Sequence, residues 1–162
     1  DVCSSDLLVD RMAKQGNPKK FMFPRAMIHE ETLNFSFSGL KTAAQRMLDT
    51  MSEEEKKAST ADLAASFQEA IVDVLLNKFE RAALKYGVSN IALTGGVSAN
   101  SRLRQRVEEM AARRRWTAAL PPLRYCTDNA AMIAFAAWAE REAGGVNEGG
   151  LGLGIAPSLP LA

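Results

Sequence analysis

The chain has 162 residues, 47% of them hydrophobic and 24% charged, a composition that fits one globular domain with its own core and excludes disorder for most of its length. Twenty Lys and Arg against nineteen Asp and Glu leave a formal charge of +1, so overall charge does not mark a nucleic-acid binder, and any RNA contact needs a local patch or another domain. Cys3 and Cys126 stand far apart with no metal-type pairing, no apolar run reaches the roughly 20 residues of a bilayer span, and no basic region leads into an apolar stretch at the start; these features predict a reducing, cytoplasmic setting.

In chain order, Leu8, Val9, Met12 and Ala13 recur at helical spacing and stop at Gly16-Asn17-Pro18. Residues 21–32 contain Pro24 and show no period, which predicts a surface loop carrying the only histidine, His29. Asn34 to Thr42 alternates aromatic and small polar residues; it predicts an extended entry, a turn at Gly39 and a helix over residues 43–50. Leu63, Phe67, Ile71, Val74, Phe79 and Tyr86 step by threes and fours, which predicts a long helix from Thr60 to Tyr86, capped by Ser59 or Thr60 and stopped by Gly87. A helix that long is marginal by itself in water, and a sheet is the expected surface for its apolar side.

Residues 90–94 form a short apolar run that ends at Gly95-Gly96 and predicts a buried strand feeding a tight turn. Leu103, Val107 and Met110 mark one face of a helix over residues 99–112, and Arg113-Arg114-Arg115 closes it where cations suit the negative end of the helix dipole. Residues 117–120 predict another strand, ended by Pro121-Pro122. Asp128 then opens an alanine-rich helix through Trp138, whose small residues allow a close neighbour, and the Gly- and Pro-rich tail over residues 144–162 predicts a loose surface segment. Long helices between short strands give an α/β class in which helices cover a small sheet, with helix exceeding strand.

Three places have the chemistry for a site. Gly95 and Gly96 leave a backbone that a ligand can approach, with a helix start behind it at Ser98 and Asn100, an arrangement that suits a nucleotide and equally suits an ordinary strand-to-helix turn with capping residues. Asp128 fits a helix cap or one ligand of a cation. Lys41 and Ser38 fit an anion contact or an exposed loop end.

Three segments together carry a resemblance: residues 34–42 (Asn-Phe-Ser-Phe-Ser-Gly-Leu-Lys-Thr), residues 93–100 (Leu-Thr-Gly-Gly-Val-Ser-Ala-Asn) and residues 126–134 (Cys-Thr-Asp-Asn-Ala-Ala-Met-Ile-Ala). In order and spacing they resemble the C-terminal part of the tRNA N6-adenosine threonylcarbamoyltransferase family, once labelled O-sialoglycoprotein endopeptidase. The resemblance implies a lobe of the actin/Hsp70/sugar-kinase type. It also implies transfer of a threonylcarbamoyl group from threonylcarbamoyl-adenylate to N6 of the adenosine beside the anticodon of tRNA. On it, Asn100 is an adenylate contact, Gly95, Gly96 and Ser98 form the turn beneath the adenylate, and Asp128 ligates a divalent metal, iron ahead of zinc. The other metal ligands, two histidines of an HxxxH motif, are expected in an N-terminal lobe that this chain lacks. Residues 1–7 are an atypical start, with Cys3 to Leu7 where the family has a Pro-Gly-Gly-Pro turn; residues 8–143 are the lobe and 144–162 the tail. Expected partners are tRNA, a homologous inactive subunit and an ATPase subunit, with no membrane. A lobe separated from its mate is expected to expose apolar surface and, alone, to transfer little. A noncatalytic nucleotide-binding or assembly module of the same fold is the alternative, and a kinase of this architecture a third that no residue demands.

Overall fold

The computed structural model describes residues 2–127 and 129–145, with side chains from Leu8 onward. Its elements are α1 (Val2–Ala13), α2 (Ser38–Asp49), α3 (Glu53–Tyr86), β1 (Asn90–Ala92), α4 (Ser101–Arg114), β2 (Thr117–Ala119) and α5 (Ala130–Glu142), with short 3-10 turns at Gly96–Ala99 and Leu123–Tyr125. The chain forms two compact units, Asp1–Thr127 and Asp128–Ala162.

Helix α3 organises the first unit. It begins seven residues before the expected Thr60, because Ser52 and Glu55 form a reciprocal capping box: Ser52 Oγ accepts from Glu55 N at 3.2 Å and Ser52 N donates to Glu55 Oε2 at 2.8 Å. The added turns read Glu53-Glu54-Glu55-Lys56-Lys57, polar all round, so no apolar stripe announces them. Gly87 ends the helix in the left-handed conformation (φ 64°), as the sequence predicts.

The expected sheet beneath α3 is replaced largely by helices. At 1.5 Å per residue α3 is about 50 Å long, whereas β1 and β2 have three residues each and pair in parallel, Ile91 opposite Ala118. Two such strands cannot cover that length. Helices α1 and α4 pack on α3 instead, and the sheet joins only near its C-terminal half, where Ile91 enters a cluster with Val72 and Leu76 of α3 and Leu103, Val107 and Met110 of α4. Burying one such aliphatic side chain contributes roughly 1.5–3 kcal/mol. Further toward the N-terminus, Phe23 and Leu40 pack on Ala70, Leu63 and Phe67, with Phe23 edge-on to Phe67 at 5.6 Å. The non-periodic loop over residues 21–32 is thus fixed to α3 by its aromatic residues.

Two cations of α3 hold the rest of that loop. Lys78 is 1% exposed, and its ammonium donates to Glu30 O at 2.9 Å and Thr32 O at 2.5 Å, while Arg81 Nη1 also donates to Glu30 O. A buried ammonium is tolerated only when its protons find acceptors. Helix α2 starts at Ser38 and runs straight through Gly39, so the expected turn there is part of the first helical turn. The arginine run forms an exposed helix end, where Arg113 and Arg114 both bond Glu80 Oε1, at 2.9 and 2.7 Å, and Arg115 is the left-handed C-cap (φ 58°). Burial pushes the Glu80 carboxyl up, but hydrogen bonds from Arg114 and Arg113 outweigh it and leave its pKa below the ordinary value.

In the second unit, α5 buries none of its residues; Ile133, Phe135 and Trp138 are each more than half exposed. The tail over residues 146–162 lies outside the described residues.

Candidate functional site

Strand β1 delivers the chain to Gly95, whose φ of 83° and ψ of 175° fall in a region that essentially only glycine occupies. That kink reverses the backbone into the 3-10 turn. Ser98 locks it: fully buried, it donates to Gly95 O from both its amide (3.0 Å) and its hydroxyl (2.6 Å). Gly95 and Gly96 remain exposed, and a Cβ built on either would meet nothing within 4 Å. The face of the turn is therefore bare backbone next to open space.

Asn100 closes the turn and opens α4. Its Oδ1 accepts from Leu103 N at 2.9 Å as an N-cap, and its Nδ2 donates to Gln68 Oε1 of α3 at 2.7 Å. Ser101, the next residue, donates from its amide and hydroxyl to Asp10 Oδ1 of α1 at 3.2 and 2.8 Å. Arg102 and Arg106 both bond Glu69, the first through two nitrogens at 2.7 and 2.9 Å. The Arg102 hydrogen bond, with Arg106 adding to it, overcomes burial and holds the Glu69 carboxyl below its ordinary pKa. Helices α1 and α3 thus fix the start of α4. Asp10, Gln68 and Glu69 escaped the sequence reading, since their partners lie 32 to 91 positions away; their helical spacing marks only a polar side.

Arg104 joins the turn to the loop after β2. Its Nη1 donates to Ser98 O at 3.0 Å and its Nη2 to Pro121 O at 2.8 Å, and Cys126, buried with a free thiol, lies 3.7 Å from Nη1. The loop after β2 therefore lies against the turn at Pro121 and Cys126. Asp128, assigned as a metal ligand by resemblance, lies outside the described residues. Among the described residues no three His, Cys, Asp or Glu side chains cluster as a metal site, and His29 is exposed on its loop. The described residues do not by themselves make up a metal site.

Ser38 and Lys41 occupy the exposed start of α2, which lacks a side-chain cap. Ser36 Oγ and Ser38 Oγ stand 3.4 Å apart, and among the described residues no hydrogen bond or ion pair joins the side chain of Ser38 or Lys41 to the Gly95–Asn100 turn. The structure thus brings Gly95, Gly96, Ser98 and Asn100 together and leaves the α2 pair as a separate place.

Residues 4–135 match the family described as tRNA N6-adenosine threonylcarbamoyltransferase. The chain belongs to the tRNA N6-adenosine threonylcarbamoyltransferase family. A relative of that name from Bdellovibrio bacteriovorus is 58% identical over 127 residues, covering 78% of this chain and 37% of the relative. One from Thermotoga neapolitana is 47% identical over 137 residues, covering 85% and 41%, and one from Crocosphaera subtropica is 42% identical over 160 residues, covering 95% and 46%. The chain spans less than half the length of these tRNA N6-adenosine threonylcarbamoyltransferase relatives. The family's fold is of the actin/Hsp70/sugar-kinase type, and the helix-rich α/β layout with its small parallel sheet agrees with it. No helix among the described residues is long and apolar enough to cross a membrane.

Proposed function

We infer that the chain is the C-terminal part of an enzyme that transfers a threonylcarbamoyl group from threonylcarbamoyl-adenylate to N6 of the adenosine beside the anticodon of tRNA. The observation that carries this reading is the bare Gly95-Gly96 backbone, held open by Ser98 and followed by Asn100, in a chain of this family. A flat adenylate can lie on two glycines without meeting side chains, and the rigid support from α1, α3 and α4 lets the turn receive it without reorganising. Asn100 already caps α4, so its contact with the adenylate uses the edge of the amide left over by Leu103 and Gln68. Ser38 and Lys41 are a second, anion-binding element of the same protein.

The resident metal of the reading is a divalent ion, iron ahead of zinc, with Asp128 the ligand from this chain and the others from the part of the relatives that it does not span. Held there with Asp128 as this chain's contribution, a divalent ion would supply Lewis-acid polarisation of a carbonyl oxygen. Cytoplasmic tRNA, a homologous inactive subunit and an ATPase subunit complete the expected setting. A noncatalytic module of the same fold is the competing reading.

The test joins this chain to the segment of the Bdellovibrio bacteriovorus relative that it does not span. Modified adenosine in tRNA is then measured by mass spectrometry, with Asn100→Ala and Asp128→Ala beside the parent. The chimera should modify tRNA, the variants should lose most of that activity, and the 162-residue chain alone should do little. A folded chimera without transfer favours the noncatalytic module; robust transfer by the chain alone contradicts the division of the site.

A further inference from the structure

Outside the glycine turn, a feature of the first unit unites an exposed aromatic surface with an unpaired cation. Phe35 and Phe37 are stacked, with ring centroids 6.2 Å apart and planes 13° from parallel. Phe37 is half-buried and belongs to the cluster formed by Phe23, Leu40 and Ala70, so the inner ring is fixed. Phe35 is 49% exposed. Lys41, four residues after Phe37, is exposed; its amide donates to Phe37 O at 3.3 Å, while its ammonium makes no ion pair or hydrogen bond among the described residues. Ser36 and Ser38 put hydroxyls between the aromatic residues, and a Cβ at Gly39 would meet nothing within 4 Å, so approach is unobstructed.

We propose that Phe35, supported by Phe37 and flanked by Lys41, is a stacking platform for an unpaired base of single-stranded RNA. Resting on the reading that the whole protein acts on tRNA, the assignment adds a contact on a different element from the adenylate turn. The chemistry matches on two counts. A base offers a flat face to an aromatic ring, and the phosphate next to it offers charge to an ammonium. An apolar protein partner fits less well, because polar side chains alternate with the two rings and a lone cation stands beside them. The exposed apolar side chains of α5 form the contrasting case: Ile133, Phe135 and Trp138 have no cation interleaved among them.

The ammonium and the ring have separable signatures. Base stacking on an aromatic side chain contributes about 1–3 kcal/mol, so Phe35→Ala should weaken binding about 5- to 150-fold, with Phe35→Trp retaining it. Loss of one phosphate contact should lower the slope of log affinity against log salt by about 0.7. The experiment is fluorescence anisotropy of a short unstructured RNA with the 162-residue chain and with Phe35→Ala, Phe35→Trp and Lys41→Ala, each checked for helix content by circular dichroism. The expected result is salt-dependent binding, loss in Phe35→Ala, retention in Phe35→Trp, and a shallower salt slope in Lys41→Ala. Absence of binding by the parent chain, equal affinity of parent and Phe35→Ala, or equal affinity for AMP and RNA would each overturn the proposal. Failure is distinguishable from failure of the transferase reading. A chimera that modifies tRNA while Phe35→Ala leaves RNA affinity unchanged sinks the platform alone. An inactive chimera with Phe35-dependent RNA binding sinks the transferase alone.

Discussion

The Gly95–Asn100 turn and the Phe35–Lys41 segment are built from similar residues, glycine, serine and one larger polar side chain, yet they present opposite surfaces. In the turn the side chains are committed inward: Ser98 to Gly95 O, Asn100 to Leu103 N and Gln68. What faces outward at Gly95 and Gly96 is main chain, with the exposed Val97 side chain beside it. In the segment a non-helical entry through Phe37 leads into the first turn of α2, and Phe35, stacked on Phe37, and Lys41 keep exposed side chains. The lesson is that substitutions in the turn alter folding and binding together, whereas substitutions in the segment separate them.

The largest expected effect is at the turn. Gly95→Ala forces a Cβ into a backbone conformation that only glycine occupies readily, at a cost of about 1–3 kcal/mol. Urea unfolding measures it, and a loss under about 0.5 kcal/mol would break the comparison by revealing a turn that relaxes freely. Next is Glu69→Gln, which removes the carboxylate that Arg102 and Arg106 share and leaves Arg106 with Asp73 at 3.2 Å. With a Glu69 side chain 12% exposed, about 2 kcal/mol should be lost. The pH dependence has a definite sign. The Glu69 pKa is depressed by the Arg102 hydrogen bond, so its contribution is present above the ordinary glutamate value and fades as pH falls through the depressed folded value. Parent and Glu69→Gln stabilities should therefore converge in acid, and a constant difference down to complete protonation would refute the linkage.

Asn100→Ala should cost about 1 kcal/mol through loss of the cap, and Asn100→Asp should keep most of it, since a carboxylate still accepts from Leu103 N. Equal losses in the two variants would place the stabilisation in the Gln68 bond instead. Smallest is Lys41→Ala, expected within about 0.5 kcal/mol of the parent by the same unfolding assay. A larger drop would mean that Lys41 is committed within the fold, and the contrast between the two regions would be lost.

Local signals were legible where the physics is local. Gly87 stops α3, the apolar spacing of Leu103, Val107 and Met110 marks the buried side of α4, and the Gly95-Gly96 pair marks the kink after β1. The start of α3 was not, because its first turns are charged on every side and carry only the Ser52-Glu55 capping box, seven residues from the first expected cap. Nor was the sheet's small share in covering α3: strand-like residues state that a strand exists, not how many neighbours it finds. The supports of the candidate site were the least legible. Asp10 reaching Ser101, Glu69 reaching Arg102 and Arg104 bridging Ser98 and Pro121 depend on which helices meet, and one chain's residue pattern contains no distance between helices.

Lys78 gives the molecule a built-in reporter. Its amine is sealed beneath the loop that it holds through Glu30 O and Thr32 O, so an acylating reagent can reach it only when that loop lifts from α3. It should therefore be labelled after exposed amines such as Lys41, and its labelling rate would time the opening of the segment that leads to Phe35.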